Sequence, residues 1–235
     1  MEDHPEISIL IAVKNEERNI EQCLKRVFTT CPEAEVLVVD GGNDSTSERV
    51  AELMHSYPRL RYWKNVGDRG KGHATREGIP KLRGAILAQV DADMQFPPEQ
   101  LPLLLDPIRE GVADVTLGSR FMVGSERRHG SQNVRRAFGN FVVSGLASLL
   151  FGHRMTDVMA GFKAWRREVT QAFSLTSDHY SYEVELAVKA VSQGYRVVDI
   201  PIATEPRTAG TSSVRVFRDG VKTITDILRF RIFQH

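Results

Sequence analysis

Gln89-Val90-Asp91-Ala92-Asp93-Met94-Gln95-Phe96-Pro97-Pro98 decides how this chain is read. The apolar run Ala85-Ile86-Leu87-Ala88 leads into it, and the proline pair closes it. A short apolar run halted by turn residues reads as a buried strand. This one ends in two carboxylates. Asp91 and Asp93 stand two apart, so at an extended strand end both point to one face. Side by side they repel unless something positive lies between them. Mg²⁺ or Mn²⁺ is the simplest such partner, because hard cations take oxygen ligands, often one or two carboxylates plus substrate phosphates. Gln95 adds an amide oxygen on the same side. The stretch therefore reads as a metal–diphosphate site with Asp91, Asp93 and Gln95 as ligands. It would lie at the carboxyl end of a strand, where open α/β sheets bind ligands. An exposed Asp-rich turn capping a helix that starts near Pro97 fits the same letters.

Working outward, 235 residues with 41% hydrophobic and 26% charged side chains suit one globular domain with a short appendage. A net charge of +1 gives no case for nucleic-acid binding. The longest apolar stretch, Phe141 to Gly152, is interrupted by Ser144 and Ser148 and falls short of the roughly 20 residues of a membrane span. Cys23 and Cys31 have neither metal-ligand spacing nor a disulfide framework, and read as packing thiols. The opening Met1-Glu2-Asp3-His4-Pro5-Glu6 is acidic and lacks a signal peptide's positive start. A reducing cytoplasm is the expectation.

Upstream, Ile7 to Val13 reads as a buried first strand, broken by Lys14-Asn15-Glu16-Glu17. Ile20, Cys23, Leu24 and Val27 follow at helical spacing, with Asn15 as the expected N-cap. Glu35 to Asp40 is a second strand ending in a carboxylate, followed by the turn Gly41-Gly42-Asn43-Asp44 and a helix capped by Ser45 or Thr46. Asp40 can take a ribose hydroxyl or a base N–H, although strand-end Asp is common in any α/β protein. Leu60 to Trp63 reads as a third strand. Gly70-Lys71-Gly72 then opens a helix, offering backbone N–H groups and a cation to an anion. The spacing is not that of a P-loop, and Thr75 stands where a dinucleotide fingerprint needs its third Gly.

Downstream, Leu101 to Ile108 reads as a helix bounded by Pro102 and Pro107, and Ala113 to Arg120 as a strand. From Arg120 to Arg136 there are five Arg and one acid, Glu126, and Phe138 to Phe151 is apolar. A basic loop entering a greasy helix suits an anionic headgroup on an apolar tail. A solvated basic loop before a core helix fits as well. Asp157 to Trp165 returns as a short strand, and Tyr195 to Ile202 is the last strand. Tyr182 to Ala190 is helical, with Glu183 read as an exposed helix charge in preference to one facing a ligand. Glu205 to Ser213 is a candidate lid, closing on phosphate through Arg207. Val214 to His235 is a basic amphipathic helix that can lie on an anionic membrane or pack on the domain. The sum is an α/β domain that binds a diphosphate through metal.

Taken in order, these motifs resemble family 2 glycosyltransferases of the GT-A fold. The resemblance rests on Ile7-to-Glu16, Val38-Val39-Asp40-Gly41-Gly42, Gly70-Lys71-Gly72-His73-Ala74, Asp91-Ala92-Asp93-Met94-Gln95, Gly118-Ser119-Arg120, Arg135-Arg136 with Asn140, Gly161-Phe162-Lys163 and Arg207-Thr208-Ala209-Gly210. It spans nearly the whole chain, and is closest to the dolichol-phosphate (polyprenyl-phosphate) mannosyl- and glucosyltransferases. It implies a Rossmann-like, mostly parallel mixed sheet flanked by helices over residues 1–212, with the amphipathic helix over 213–235. Ala12, Lys14 and Glu16 stand where the family holds the nucleotide, and Asp40 where it contacts base or ribose. Lys71, Asp91, Ala92, Asp93 and Gln95 stand at the diphosphate and metal positions. Arg120 and Arg135/Arg136 stand near the lipid phosphate, and Arg207 where the closing loop meets donor or acceptor phosphate. The family often has Pro and Tyr where Ala12 and Lys14 stand, and Lys where Ser213 stands. Many relatives also carry C-terminal transmembrane helices.

The implied reaction is inverting transfer of a hexose from GDP-mannose or UDP-glucose to a polyprenyl phosphate, with Mg²⁺ or Mn²⁺ as cofactor. Asp91, Asp93, Arg120 and Arg136 are the expected catalytic groups, and membrane contact would be peripheral, at the cytoplasmic face. The Gly-Phe-Lys and Gly-Lys-Gly motifs are similar to the glucosyl branch. Asp-Ala-Asp-Met-Gln with Pro97-Pro98 is similar to the mannosyl branch, and the balance tips slightly to mannose. A family member acting on a hydroxyl acceptor would need a base, for which Glu183 and Glu185 are the nearest candidates. A nucleotidyltransferase would need a Gly-rich turn after Val13, and a non-catalytic nucleotide-sugar-binding protein could dispense with the Asp pair.

Overall fold

The computed structural model describes residues 5–126, 134–207 and 216–232. Seven strands form one sheet: β1 (Ile7–Val13), β2 (Glu35–Asp40), β3 (Leu60–Lys64), β4 (Ile86–Gln89), β5 (Val115–Ser119), β6 (Lys163–Arg166) and β7 (Val197–Pro201). The order is β3-β2-β1-β4-β6-β5-β7. Every strand is parallel to β1 except β6, which pairs antiparallel with both β4 and β5. The helices are α1 (Ile20–Thr30), α2 (Thr46–Met54), α3 (Lys71–Gly78), α4 (Leu101–Arg109), α5 (Val134–Phe151), α6 (Arg167–Ala172), α7 (Tyr182–Ser192) and α8 (Val216–Ile232). The mixed, mostly parallel sheet and its helices match the expected class.

The alternation of β1 builds two cores. Ile7, Ile9, Ile11 and Val13 face α1 and α4, whereas Leu10 turns to the opposite side with Leu87, Leu117 and α7. Being covered on both faces, such strands read as continuous apolar runs. The α1 stripe of Ile20, Cys23, Leu24 and Val27 is fully buried, so Cys23 is a packing thiol; burial pushes its pKa up.

From β1 the chain steps outward to β2 and β3, then returns to place β4 on the other side of β1. The reversal opens a crevice at the carboxyl ends of β1 and β4, the position where open α/β sheets take ligands. Register sets Val13 beside Asp40, and Leu10 beside Gln89. Lys14, Asp40 and Asp91 therefore all emerge along one edge. The antiparallel β6 begins at that same edge, since Lys163 pairs with Gln89.

Two local expectations need correction. Asn15 does not cap α1; it sits at φ 58° and its Oδ1 accepts from the Asn43 N–H at 2.9 Å, tying the exits of β1 and β2 together. Asn tolerates this left-handed backbone better than most residues. The helix starts later, at Ile20, after Asn19. Asp91 and Asp93 do not extend a strand either. β4 stops at Gln89, and a turn with Met94 N–H on Asp91 C=O carries both acids. Met94 is buried with φ 55°, an unusual backbone for a side-chain-bearing residue, and such positions are held by the structure around them. The C-terminal helix α8 packs on the domain, one of the two placements its pattern allows: Ile227 and Phe230 are buried in the core shared with α5 and α7, while Val221, Leu228 and Ile232 remain exposed. Among the described residues no helix is long and apolar enough to cross a membrane.

Candidate active site

The crevice is lined by carboxylates that each hold a cation. Lys71 Nζ lies 2.5 Å from Asp91 Oδ1, and Arg207 Nη2 lies 2.5 Å from Asp93 Oδ2. Lys71 is the first residue of α3, where its backbone also adds the positive end of a helix. The turn is fixed from within by Gln95 N–H donating to Asp93 Oδ1 at 3.1 Å. Burial raises the Asp91 pKa to about 6, Lys71 opposes the rise, and the charges of Asp93 and Glu183 add to it. Glu16 belongs to the same field. Burial raises its pKa against the pull of an Asn19 hydrogen bond, with the Asp93 charge adding to the rise.

The residues expected to meet a nucleotide divide into two kinds. Asp40 is wholly buried, with Oδ1 accepting from Gly42 N–H at 2.6 Å and Oδ2 from Tyr62 O–H at 2.8 Å. Lys64 Nζ stands 3.4 Å from the same carboxylate. Asp40 thus shapes the turn beneath the crevice. Lys14 is exposed and pairs with Asp68 at 2.9 Å, and Asp68 in turn takes the Gly70 N–H. Ala12 is partly buried at the end of β1, and Ala92 is buried, so Ala92 can offer a ligand only its backbone.

On the far side, Arg120 is gripped by Asp157, Nε to Oδ2 at 2.6 Å and Nη2 to Oδ1 at 2.8 Å. Its guanidinium also stacks 5.4 Å from the Phe96 ring centroid. Burial works against its charge, and Asp157 more than offsets that, raising its pKa. The structure therefore brings Lys71, Asp91, Asp93, Arg207 and Glu16 together, with Arg120, held by Asp157, close enough to feel the Asp91 and Glu183 charges. The side chains of Arg135 and Arg136, although their backbone begins α5, lie outside the described residues, as do Arg127 and Arg128 of the basic loop and 208–213 of the candidate lid.

The reading of Glu183 as an exposed charge is overturned. It is 2% exposed, and Glu185 is wholly buried. Glu183 Oε1 accepts from Lys71 Nζ and Gln89 Nε2, each at 3.0 Å, and from Tyr182 O–H at 2.5 Å; Oε2 accepts from Lys163 Nζ at 2.8 Å. Lys163 is 1% exposed and donates also to the carbonyls of Val158 and Ala160, which uses all three of its N–H groups. Burial opposes the Glu183 charge, but Lys163 and Lys71 more than offset it and hold its pKa down at about 2. Glu185 instead accepts from Thr176 and Ser177 N–H, fixing the loop that precedes α7. That loop braces the first turn of α3: Asp178 C=O takes the His73 N–H at 3.0 Å. The helix Tyr-Glu-Val-Glu-Leu-Ala-Val carried the signal, because Glu183 lies among its apolar positions, away from the Glu185, Lys189 and Ser192 face.

The donor set fits a hard divalent cation. Asp91 and Asp93 are near enough for one charge to raise the other's pKa, and oxygen is the only ligand type they and Gln95 offer. Among the described residues no three His, Cys, Asp or Glu side chains cluster as a complete metal cage, so a bound cation would need oxygens from its substrate.

Comparison with known proteins agrees with this architecture. The model of the family described as glycosyl transferase family 2 matches residues 8–173. Polyprenol monophosphomannose synthase of Mycolicibacterium smegmatis is 32% identical over 214 residues, covering 88% of this chain and 80% of that protein. Undecaprenyl-phosphate mannosyltransferase of Micrococcus luteus is 29% identical, covering 87% and 86%. Dolichol-phosphate mannosyltransferase of Pyrococcus furiosus is 27% identical, covering 95% of this chain but only 62% of that protein. Glucosyl-3-phosphoglycerate synthase from Mycobacterium tuberculosis, solved with Mn²⁺, UDP and phosphoglyceric acid, superposes with a TM-score of 0.73 at 18% identity, covering 97% of this chain and 78% of that one. The family model covers more than half of the chain, and the fold and the crevice agree with it; this chain belongs to glycosyl transferase family 2 and is a glycosyltransferase of the GT-A fold.

Proposed function

We propose that the chain moves a hexose from a nucleoside-diphosphate sugar to a polyprenyl phosphate with inversion at the anomeric carbon. The observation that carries the choice of acceptor is that the Glu183 carboxylate is buried and paired with both Lys71 and Lys163. A hydroxyl acceptor must give up a proton during attack, and a carboxylate held at a pKa of about 2 by two lysines is a poor base for it. Asp157 is committed to Arg120, and Glu185 to the loop before α7. A phosphate acceptor brings its own nucleophile, since its second pKa is about 6 and it is largely a dianion at neutral pH. The names of the relatives from Mycolicibacterium, Micrococcus and Pyrococcus support the same class.

Catalysis in this reading is positioning and charge. Asp91, Asp93 and Gln95 would hold Mg²⁺ or Mn²⁺, which supplies neutralisation of the departing nucleoside diphosphate. Lys71, at the N-terminus of α3, faces the same diphosphate. Ala12, Lys14, Glu16 and Asp40 form the nucleotide side. Arg120 and Arg136 meet the acceptor phosphate, and Arg207 moves between Asp93 and a substrate phosphate as its loop closes. GDP-mannose is preferred over UDP-glucose, on the names of the mannosyltransferase relatives.

Residues 1–212 carry the transferase, and 213–235 bear on the membrane. Phe138, Phe141 and Leu149 on α5 and Val221, Leu228 and Ile232 on α8 are exposed, beside the exposed cations Arg229 and Arg231. Apolar side chains flanked by cations suit an anionic lipid surface, here the cytoplasmic face. The reading is tested by offering radiolabelled GDP-mannose and UDP-glucose separately, with Mn²⁺ or Mg²⁺ and a short polyprenyl phosphate. Metal-dependent label in the organic phase with one donor is expected. Donor hydrolysis without lipid product would overturn the acceptor, and no turnover or binding of either donor would overturn the reaction.

A further inference from the structure

Beneath the crevice lies a buried charge system of which the proposed transfer uses only Lys71. Its members come from four segments: Lys71 on α3, Gln89 at the end of β4, Lys163 at the start of β6, and Tyr182 and Glu183 at the start of α7. Burying charge is costly unless each ion is paired and its hydrogen-bonding capacity filled. Here it is filled on one side and open on the other. Lys163 spends all its donors on Glu183 and two carbonyls. Glu183 Oε1 takes three donors. Lys71 has three N–H groups, and among the described residues its hydrogen-bonding partners are Glu183 at 3.0 Å and Asp91 at 2.5 Å, with the Tyr182 ring centroid 5.8 Å away, which leaves one N–H for a ligand.

Two further contacts show that the position of Lys71 is fixed. Gln89 Nε2 bridges Glu183 to the Gly161 carbonyl at 3.2 Å. Gly161 runs so close to the pair that a Cβ there would collide with Asp91 Oδ2 and Lys71 Nζ. A flexible lysine is thereby confined between a glycine backbone and a carboxylate that is itself locked by a second lysine.

We propose that Glu183, backed by Lys163, is a positioning residue that fixes the Lys71 ammonium against Asp91, and so sets the affinity for the donor's diphosphate. The inference rests on the donor half of the proposed function and is independent of the acceptor. Glu183 acts through Lys71, touching neither substrate nor a transferring proton.

A double-mutant cycle tests this, read as the dissociation constant of GDP and of UDP in the presence of Mn²⁺ by calorimetry on the full chain. Glu183→Asp keeps the charge that Lys163 needs but withdraws the carboxylate by one bond, about 1.5 Å. It is expected to weaken nucleoside-diphosphate binding about 10- to 100-fold. In a Lys71→Met background the same change is expected to do nothing further, because the residue it acts through is gone. Equal losses in both backgrounds would overturn the inference, as would unchanged binding with a fall in kcat alone, the mark of a general base. If Glu183→Asp does not fold, Glu183→Gln combined with Lys163→Met removes both charges together and enters the same cycle with the same expectations. Failure of lipid transfer in the wild type, with the cycle closing as stated, would remove the polyprenyl acceptor and leave the positioning role standing. Wild-type protein that binds neither nucleotide would overturn both.

Discussion

Arg207 Nη2 sits 2.5 Å from Asp93 Oδ2, so a side chain of the chain's own already occupies the charge a divalent cation would meet. Arg207 and the cation therefore compete for Asp93. Arg207→Gln should tighten Mn²⁺ binding in the absence of nucleotide about tenfold, equivalent to a coupling of about 1.4 kcal/mol. The same variant should lower transfer. A Mn²⁺ titration by electron paramagnetic resonance, run beside the transfer assay, reads both. Unchanged metal affinity would place Arg207 outside the metal's field.

Asp93→Ala removes one of two proposed metal carboxylates and leaves Arg207 unpaired. Transfer should fall by a factor of about 10² to 10³ or more, as when a main electrostatic contact to the transition state is lost. Retention of near wild-type transfer with metal present would count against the assigned metal site.

Gly161→Ala tests the crowding at the crevice floor. The new Cβ meets the ends of Asp91 and Lys71, which must move aside. Nucleoside-diphosphate affinity should drop about tenfold while stability falls by about 1–3 kcal/mol, typical of overpacking. Thermal melts alongside calorimetry separate the two effects. Wild-type affinity would mean the pair can shift without consequence.

Glu183 also marks the acid stability of the fold. Its pKa falls from the usual 4.5 to about 2, so its contribution is fully present above pH 4.5 and is lost as pH falls through 2. Across that window the wild type should lose stability more steeply than the Glu183→Gln/Lys163→Met variant. Chemical denaturation at a series of pH values gives the slopes, and parallel curves would refute the assignment.

The exposed aromatics of α5 offer a test of membrane contact. Phe138 and Phe141 are 68% and 70% exposed, so Phe138→Ser/Phe141→Ser should change stability little, within about 0.5 kcal/mol per site. Co-sedimentation with phosphatidylglycerol vesicles should fall several-fold. Equal sedimentation of variant and wild type would assign the lipid contact elsewhere or nowhere.

The strands and most helices could be read from the letters, because each buried strand is a continuous apolar run between turn residues. Strand-end acids and the Gly-Lys-Gly turn likewise pointed to the crevice. Partnerships could not be read in the same way. Nothing local pairs Lys163 with Glu183, or Arg120 with Asp157 37 residues on; these contacts depend on β6 running backwards between β4 and β5. Asn15 misled for a different reason: Asn suits both an N-cap and a left-handed turn, and only the neighbouring Asn43 N–H decides between them. The burial of Glu183 was visible in principle, because it stands on the side of α7 away from Glu185, Lys189 and Ser192.

The single reversed strand also sets an order of assembly. β1, β2, β3 and β4 need only the first 89 residues to pair with one another, but β4 gains its other neighbour only when Lys163 has been made. The floor of the crevice waits longer still, for Glu183. During synthesis at about 5–20 residues per second, the growing chain carries a half-sheet with an open edge, and a Lys71 that has Asp91 but not yet Glu183, for several seconds. A truncation before α7 would thus keep most strands, and Asp91 beside Lys71, yet lack the buried Glu183 carboxylate that holds the lysine from its other side.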